Sequence, residues 1–68
     1  PNPVVDNFNI VVNDKSSIML YSQNGILLQS EILDVGNNTI DISNYRPGIY
    51  IVRLMSNDKV LIDKFVKL

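Results

Sequence analysis

Gly48-Ile49-Tyr50-Ile51-Val52-Arg53-Leu54 is followed, after the polar turn Ser56-Asn57-Asp58-Lys59, by a second apolar stretch that closes with Lys64-Phe65-Val66-Lys67-Leu68. Both stretches are rich in β-branched and aromatic residues, which are typical of strands. The pattern predicts a β-hairpin whose second strand continues to Leu68. Chain ends usually fray unless they are tied down. We therefore expect this strand either to stabilise the fold or to form a surface that another molecule recognises.

The composition indicates a single small β-rich domain. The chain has 68 residues, 46% of them hydrophobic, with no cysteine, histidine or tryptophan. It also has no alanine, the best helix former. A chain of this length buries only about 60% of the surface that its unfolded form exposes, so we expect marginal stability. Without cysteine, disulfides cannot add to that stability.

The remaining sequence divides into further short strands separated by turn residues. Phe8, Ile10 and Val12 alternate with more polar positions, which predicts a half-buried strand. Ser16 to Ser22 is the next predicted strand, and Thr39 to Ser43 is another, after a predicted turn from Asp34 to Asn38.

With the strand that follows Gly25 and forms a hairpin with Ser16 to Ser22, the predicted strands number six, or seven if Val4-Val5 also pairs. No helical period separates them, which excludes a parallel βαβ fold. The predicted fold class is all-β, a small antiparallel β-sandwich of six to seven strands with immunoglobulin-like character.

The register of the first hairpin depends on its loop. A two-residue Asn24-Gly25 loop sets Leu20 opposite Gln29 and Ile18 opposite Glu31. A three-residue Gln23-Asn24-Gly25 loop, with Gly25 left-handed, sets Leu20 opposite Leu28. We favour the three-residue loop because it places the apolar side chains of Ile26, Leu28 and Ile32 on the face of Ile18 and Leu20.

The register of the last hairpin stays open. A two-residue Asn57-Asp58 loop pairs Leu54 with Leu61 and Tyr50 with Phe65, but it sets Val52 opposite Asp63. A three-residue loop sets Arg53 opposite Asp63 and Val52 opposite Lys64. A bulge would reconcile the two alternatives.

The sequence offers little for catalysis, metal binding or nucleic-acid binding. Without histidine or cysteine, the commonest general base and the best nucleophile are missing. The acidic candidates Asp34, Asp41, Asp58 and Asp63 lie in predicted turns or at exposed strand positions. No turn has the spacing of a calcium loop, so we expect no metal and no cofactor. The net charge is -1 and no basic stripe is present, which argues against nucleic acid. No apolar run is long enough for a transmembrane helix.

Several segments together resemble a known family. They are Pro1-Asn2-Pro3, Asn24-Gly25-Ile26-Leu27-Leu28, Ile40-Asp41-Ile42-Ser43, and the two stretches quoted first. In this order they resemble the C-terminal sorting domain of the type IX (Por) secretion system of Bacteroidota, in its type A form. The resemblance covers essentially the whole chain. It implies a β-sandwich that directs an upstream cargo protein through the type IX translocon across the outer membrane. It also implies removal of the domain at or after export.

The resemblance further implies which residues are recognised and where the domain begins. The residues that match the closing motifs of the family are Gly48, Tyr50, Val52, Arg53, Lys64, Val66, Lys67 and Leu68. Pro1, Asn2 and Pro3 then form a cleavable linker from the cargo, and residues 4–68 form the sorting domain. The expected partners are the type IX translocon and the outer-membrane shuttle and sortase components. The expected route leads through the periplasm to the cell surface or extracellular space.

Two other functions fit the same composition. The first is an extracellular module, appended to a secreted enzyme or adhesin, that binds polysaccharide or protein. Sugar-binding faces usually present aromatic platforms, and this chain has only three tyrosines and two phenylalanines that we expect to be buried. The second is a structural spacer. We expect a sorting domain that is not an enzyme.

Overall fold

The computed structural model describes residues 6–68 and contains only strands, turns and loops over that range. The strands are β1 (Asn7–Val12), β2 (Ser16–Ser22), β3 (Leu27–Leu33), β4 (Gly36–Asp41), β5 (Gly48–Ser56) and β6 (Lys59–Lys67). The all-β prediction is confirmed. The possible strand at Val4-Val5 and the linker Pro1-Asn2-Pro3 lie outside the described residues.

The six strands form two antiparallel sheets. A small sheet pairs β1 with β4, and a large sheet has the order β3-β2-β5-β6. The pairings among these six strands of residues 6–68 are all antiparallel. The predicted small antiparallel sandwich is therefore confirmed, whereas its immunoglobulin-like character stays a prediction.

The core lies between the two sheets and follows the alternation of side chains along each strand. Ile18 and Leu20 of β2 are fully buried, as is Ile40 of β4. The rings of Phe8 in β1 and Phe65 in β6 pack with centroids 5.4 Å apart. This contact joins the small sheet to the large one across the core. Full burial of such a side chain stabilises the fold by about 1.5–3 kcal/mol.

The first hairpin combines the two alternatives drawn from the sequence. Its loop is the favoured one, since the Ser22 amide donates to the Ile26 carbonyl at 2.8 Å across three residues. Gly25 is left-handed there, with φ +88°. However, the register shifts between Leu20 and Tyr21, so Leu20 lies opposite Gln29. The expected pairing of Leu20 with Leu28 is wrong, because Leu28 is the extra residue of a β-bulge.

The bulge changes which side chains of β3 face the core. Ile26, Leu28 and Ile32 were expected there, but they are 63%, 43% and 67% exposed. Leu33 is buried instead, opposite Ser16. The expectation fails because the bulge gives β3 the register of the two-residue loop, in which Ile32 points away from the core.

The last hairpin has the register of the two-residue Asn57-Asp58 loop. Leu54 pairs with Leu61, and Val52 with Asp63, without any interruption along the two strands. The bulge considered above is absent from this pair. Asn57 adopts the left-handed conformation, with φ 51°, and asparagine tolerates it better than most residues. The left-handed conformation of Asn57 is therefore the local feature that favours the two-residue loop.

The strand β4 begins earlier than the sequence suggested. Asn37 and Asn38 were expected in a turn, but they pair with Val11 and Ile10 of β1. The Asn38 side-chain amide donates to the carbonyl of Asp34 at 2.8 Å, so it holds the tight connection that precedes the strand. Beyond the end of β4, Ile42 is buried.

Candidate recognition surface on the terminal hairpin

The hairpin β5–β6 brings together the two segments that carry the predicted recognition residues. Gly48 lies opposite Lys67, and Ile51 lies opposite Lys64. Residues directly opposite in an antiparallel pair point to the same face, and neighbours along a strand point to opposite faces. The predicted residues are therefore divided between the inner face, toward the core, and the outer face of the large sheet.

Tyr50 and Val52 belong to the inner face and pack against the core. The Tyr50 ring stacks on Phe65 with centroids 5.5 Å apart, and its hydroxyl donates to the Arg46 carbonyl at 2.6 Å. At the start of the strand, Gly48 has φ +155°, which residues with a side chain rarely adopt. These three residues hold the hairpin in place.

Lys67 is a charged residue at a buried position. It is only 7% exposed, because it occupies an inner position near the end of β6. Its stem lies against the protein, as lysine stems commonly do, and its Nζ donates to the carbonyl of Leu68 at 3.3 Å. Leu68 itself follows β6 and is 60% exposed.

Arg53, Lys64 and Val66 belong to the outer face. Arg53 lies between Met19 of β2 and Ile62 of β6 in the register of the sheet. Its Nε is buried and has no hydrogen-bond acceptor among residues 6–68. We call the central part of this face the outer patch, and it consists of Met19, Ile51, Arg53, Met55, Ile62 and Lys64.

None of the apolar residues of the outer patch is among the recognition residues predicted from the sequence. Ile62 is 69% exposed, and Val60 beside the patch is 49% exposed. Both belong to the apolar run Val60-Leu61-Ile62, which resembles a strand that is buried on both faces. This run of three apolar residues is the signal in the sequence that could have indicated an apolar outer face.

The edge of β6 that points away from β5 is partly blocked by its own sequence. Within the sheet described for residues 6–68, β6 is the last strand and lies beside β5. Since Ser56 and Lys59 close the two-residue hairpin, Val60, Ile62 and Lys64 direct their backbone groups away from β5. The Asp63 carboxylate accepts the Lys64 amide proton at 2.8 Å. An inward-pointing charge at an edge of this kind discourages indiscriminate strand pairing.

An open groove of about 370 Å³ separates the edges of β1 and β6. Ile10 lines one side of it, and Val52, Leu54 and Leu61 line the other. Leu61 occupies an inner position but is 66% exposed. The small sheet has two strands and the large sheet four, so the inner face of β6 is left partly uncovered.

Tyr45 is the group with the most altered acidity near the hairpin. Partial burial, followed by the neighbouring Tyr50 and Glu31, raises the pKa of Tyr45 to about 12. Its hydroxyl donates to the side-chain carbonyl of Gln29, and its ring packs on Tyr50 at 4.9 Å. The phenol of Tyr45 is protonated at neutral pH. Through its hydrogen bond to Gln29 and its contact with Tyr50, Tyr45 links β3 to the start of β5.

Residues 6–68 contain neither a metal-binding cluster nor a membrane-spanning helix. No three acidic, histidine or cysteine side chains in that range lie close enough to hold a metal ion together. The same range contains no membrane-spanning helix.

The fold and the hairpin define a class of protein: a small all-β domain whose candidate recognition element is an exposed terminal hairpin. The family model described as the secretion system C-terminal sorting domain matches residues 1–68. The chain therefore belongs to this family, the sorting domains of type IX secretion. Searches for similar curated proteins and for similar solved structures found no match.

Membership of this family gives the domain its role. It is a C-terminal sorting signal for type IX secretion. Its function implies type IX secretion machinery, an upstream cargo domain, and export toward the cell surface or extracellular space. The alternative function, a module that binds polysaccharide or protein, gains no support from these findings.

Proposed function

We propose that the type IX translocon recognises this domain through the hairpin β5–β6, without any catalysis by the domain. The observation that carries the proposal is the match of the sorting-domain family to residues 1–68. The pairing of the closing motifs in one hairpin at the edge of the large sheet supports it.

The recognition residues then have two roles. Gly48, Tyr50 and Val52 hold the hairpin against the core, and Lys67 holds the end of β6. Arg53, Lys64, Val66 and Leu68 supply the accessible surface, since Lys64 is exposed and Val66 and Leu68 are 38% and 60% exposed. A partner that reads this surface meets a preformed shape, so it does not have to order a flexible peptide.

The mode of binding that we propose is strand addition at the edge of β6. Backbone groups that point away from the neighbouring strand are a template for a strand of another chain. The added strand would pair with Val60 and Ile62, which lie nearest the hairpin loop.

The remaining steps of the proposed function concern the route and fate of the cargo. The cargo passes through the periplasm, meets outer-membrane shuttle and sortase components, and is released or attached at the cell surface. The linker Pro1-Asn2-Pro3 is the proposed site of cleavage. Mass spectrometry of the exported cargo tests this directly, because a carboxyl terminus inside the folded domain contradicts cleavage at the linker.

The sorting role is tested with a fluorescent reporter fused ahead of Pro1. The fusion is expressed in a Bacteroidota host with a working type IX translocon and in a matched host without one. We expect reporter in the medium or on the cell surface only in the first host. Reporter retained in both hosts, from a fusion whose domain is folded by circular dichroism, contradicts the proposal.

Strand addition is tested by a pair of substitutions at one position. In Ile62→Pro the edge loses a backbone donor that points away from β5, so the hairpin keeps its own hydrogen bonds. Ile62→Val keeps both the donor and the apolar character. We expect export to be lost in the proline variant and kept in the valine variant. Equal export of the two folded variants excludes pairing at this edge.

A further inference from the structure

The outer face of the large sheet is unusually apolar for a face that no other part of residues 6–68 covers. Antiparallel sheets with one face in solvent normally alternate between buried apolar and exposed polar side chains. Here Ile62 is 69% exposed, and Ile32 on the same face is 67% exposed. Met19, Ile51 and Met55 are half-buried. Contiguous exposed apolar surface of this kind marks an interaction site in soluble proteins.

The charges on this face all have one sign. Arg53 and Lys64 are the charged residues that the strands place on the outer face. The chain has seven Asp and Glu side chains, and the strands place none of them on that face. Glu31 and Asp63 lie at inner positions of the sheet, and the other five lie outside its four strands. The outer patch is therefore cationic in a chain whose net charge is -1.

Arg53 is the feature that indicates what the patch binds. It lies at the centre of the patch, between Met19 and Ile62. Its buried Nε has no acceptor among the described residues, and a buried donor without a partner lowers stability. The planar guanidinium presents its donors as a fork that matches a carboxylate. A carboxylate placed over Arg53 would pair with the two terminal Nη groups, which are not among the buried unpaired atoms, in an apolar surrounding where a charged hydrogen bond is strong.

We propose that the outer patch docks on an apolar surface of the translocon whose centre carries an Asp or Glu side chain, and that this carboxylate pairs with Arg53. The proposal rests on the proposed function, and it names the chemistry of the partner. Arg53 is thereby the centre of the interface, and the surrounding apolar residues exclude water from the pair.

Two other occupants fit the charges less well. One is a second copy of the domain whose outer face packs on the outer face of the first. Arg53 and Lys64 of one copy would then face Arg53 and Lys64 of the other, with no carboxylate between them. A membrane surface attracts clusters of about four to eight basic residues, and the outer face has two.

The test uses the reporter fusion in the host with a working translocon. Arg53→Met removes the charge and the fork but keeps a long apolar side chain. Arg53→Lys keeps the charge and removes the fork. Lys15→Met removes a charge from an exposed loop position outside the sheet. We expect export to fall by about tenfold or more in Arg53→Met, to fall less in Arg53→Lys, and to be unchanged in Lys15→Met.

Urea unfolding of the same fusions separates recognition from stability. We expect Arg53→Met to be as stable as the parent or more stable, because it removes an unpaired buried donor. Loss of export together with unchanged or higher stability supports the proposal. Loss of export together with a matching loss of stability overturns it, because Arg53 then acts through the fold.

The outcome also distinguishes this proposal from the sorting role on which it rests. Failure of the parent fusion to be exported refutes the sorting role. Normal export of both the parent and Arg53→Met refutes the docking proposal alone. Arg53-dependent binding of the fusion to vesicles of phosphatidylcholine and phosphatidylglycerol also overturns the proposal, in favour of a lipid partner.

Discussion

Replacement of Phe65 by alanine tests whether the terminal strand is part of the core. Phe65 is 4% exposed, and its ring contacts those of Phe8 and Tyr50. A buried Phe→Ala change costs about 3–5 kcal/mol. At about 0.05–0.15 kcal/mol per residue, the whole domain has a stability of roughly 3–10 kcal/mol. We therefore expect Phe65→Ala to lose about 3 kcal/mol or more and to be largely unfolded at the weaker end of that range.

The matched control lies on the same strand. Ile62 is 69% exposed on the outer face, so Ile62→Ala should change stability by no more than about 0.5 kcal/mol. Phe65→Leu, which keeps much of the apolar volume, should fall between the two. Urea unfolding followed by far-ultraviolet circular dichroism gives the three free energies, provided that the slope with denaturant is unchanged.

Two outcomes would refute this reasoning. The first is a loss below about 1 kcal/mol in Phe65→Ala, which is the cost expected of a partly exposed site. The second is a loss in Ile62→Ala as large as that in Phe65→Ala. Either result means that β6 is not packed on the core as described.

Three further predictions concern single residues. The pKa of Tyr45 is raised from 10.0 to about 12, so the protonated phenol stabilises the fold below pH 10, and this stabilisation is lost as the pH rises to about 12. In Tyr45→Phe the urea midpoint should fall less over that interval than in the parent, and equal slopes count against the shift. Gly48→Ala should cost about 1–3 kcal/mol because φ is +155°, and a thermal midpoint equal to that of the parent contradicts this. At Asn57, with φ 51°, alanine should cost about 1 kcal/mol and glycine should not, as urea midpoints of the two variants will show.

The sequence predicted the strands well and their registers less well. Alternation in Phe8, Ile10 and Val12 needs only local information, and it appears in β1 as expected. The bulge at Leu28 depends on which residue of β3 reaches the core at the far end of the strand, and there Leu33 is buried. Packing of β3 against β2 and the small sheet determines which of its residues is buried. The residues adjacent to Leu28 in the sequence do not indicate this.

The candidate site was predictable in its residues but not in their orientation. The resemblance located Arg53 and Lys67 in the closing motifs, and the structure sets one on the outer face and buries the other. The pairing of β5 with β6 decides these orientations, and the sequence left that register open. The outer patch also draws on Met19 of β2, which no motif of the terminal hairpin contains.

The contact between Phe8 and Phe65 has a consequence for when the domain becomes a complete signal. These two rings lie near opposite ends of the described chain and meet in the core. A copy whose synthesis stops before β6 leaves Phe8 without this partner and β5 without its neighbour. Such a chain lacks both the packed core and the strand that is proposed to be read. Completion of the folded domain therefore depends on the last strand to be synthesised, because β6 supplies the ring that packs on Phe8.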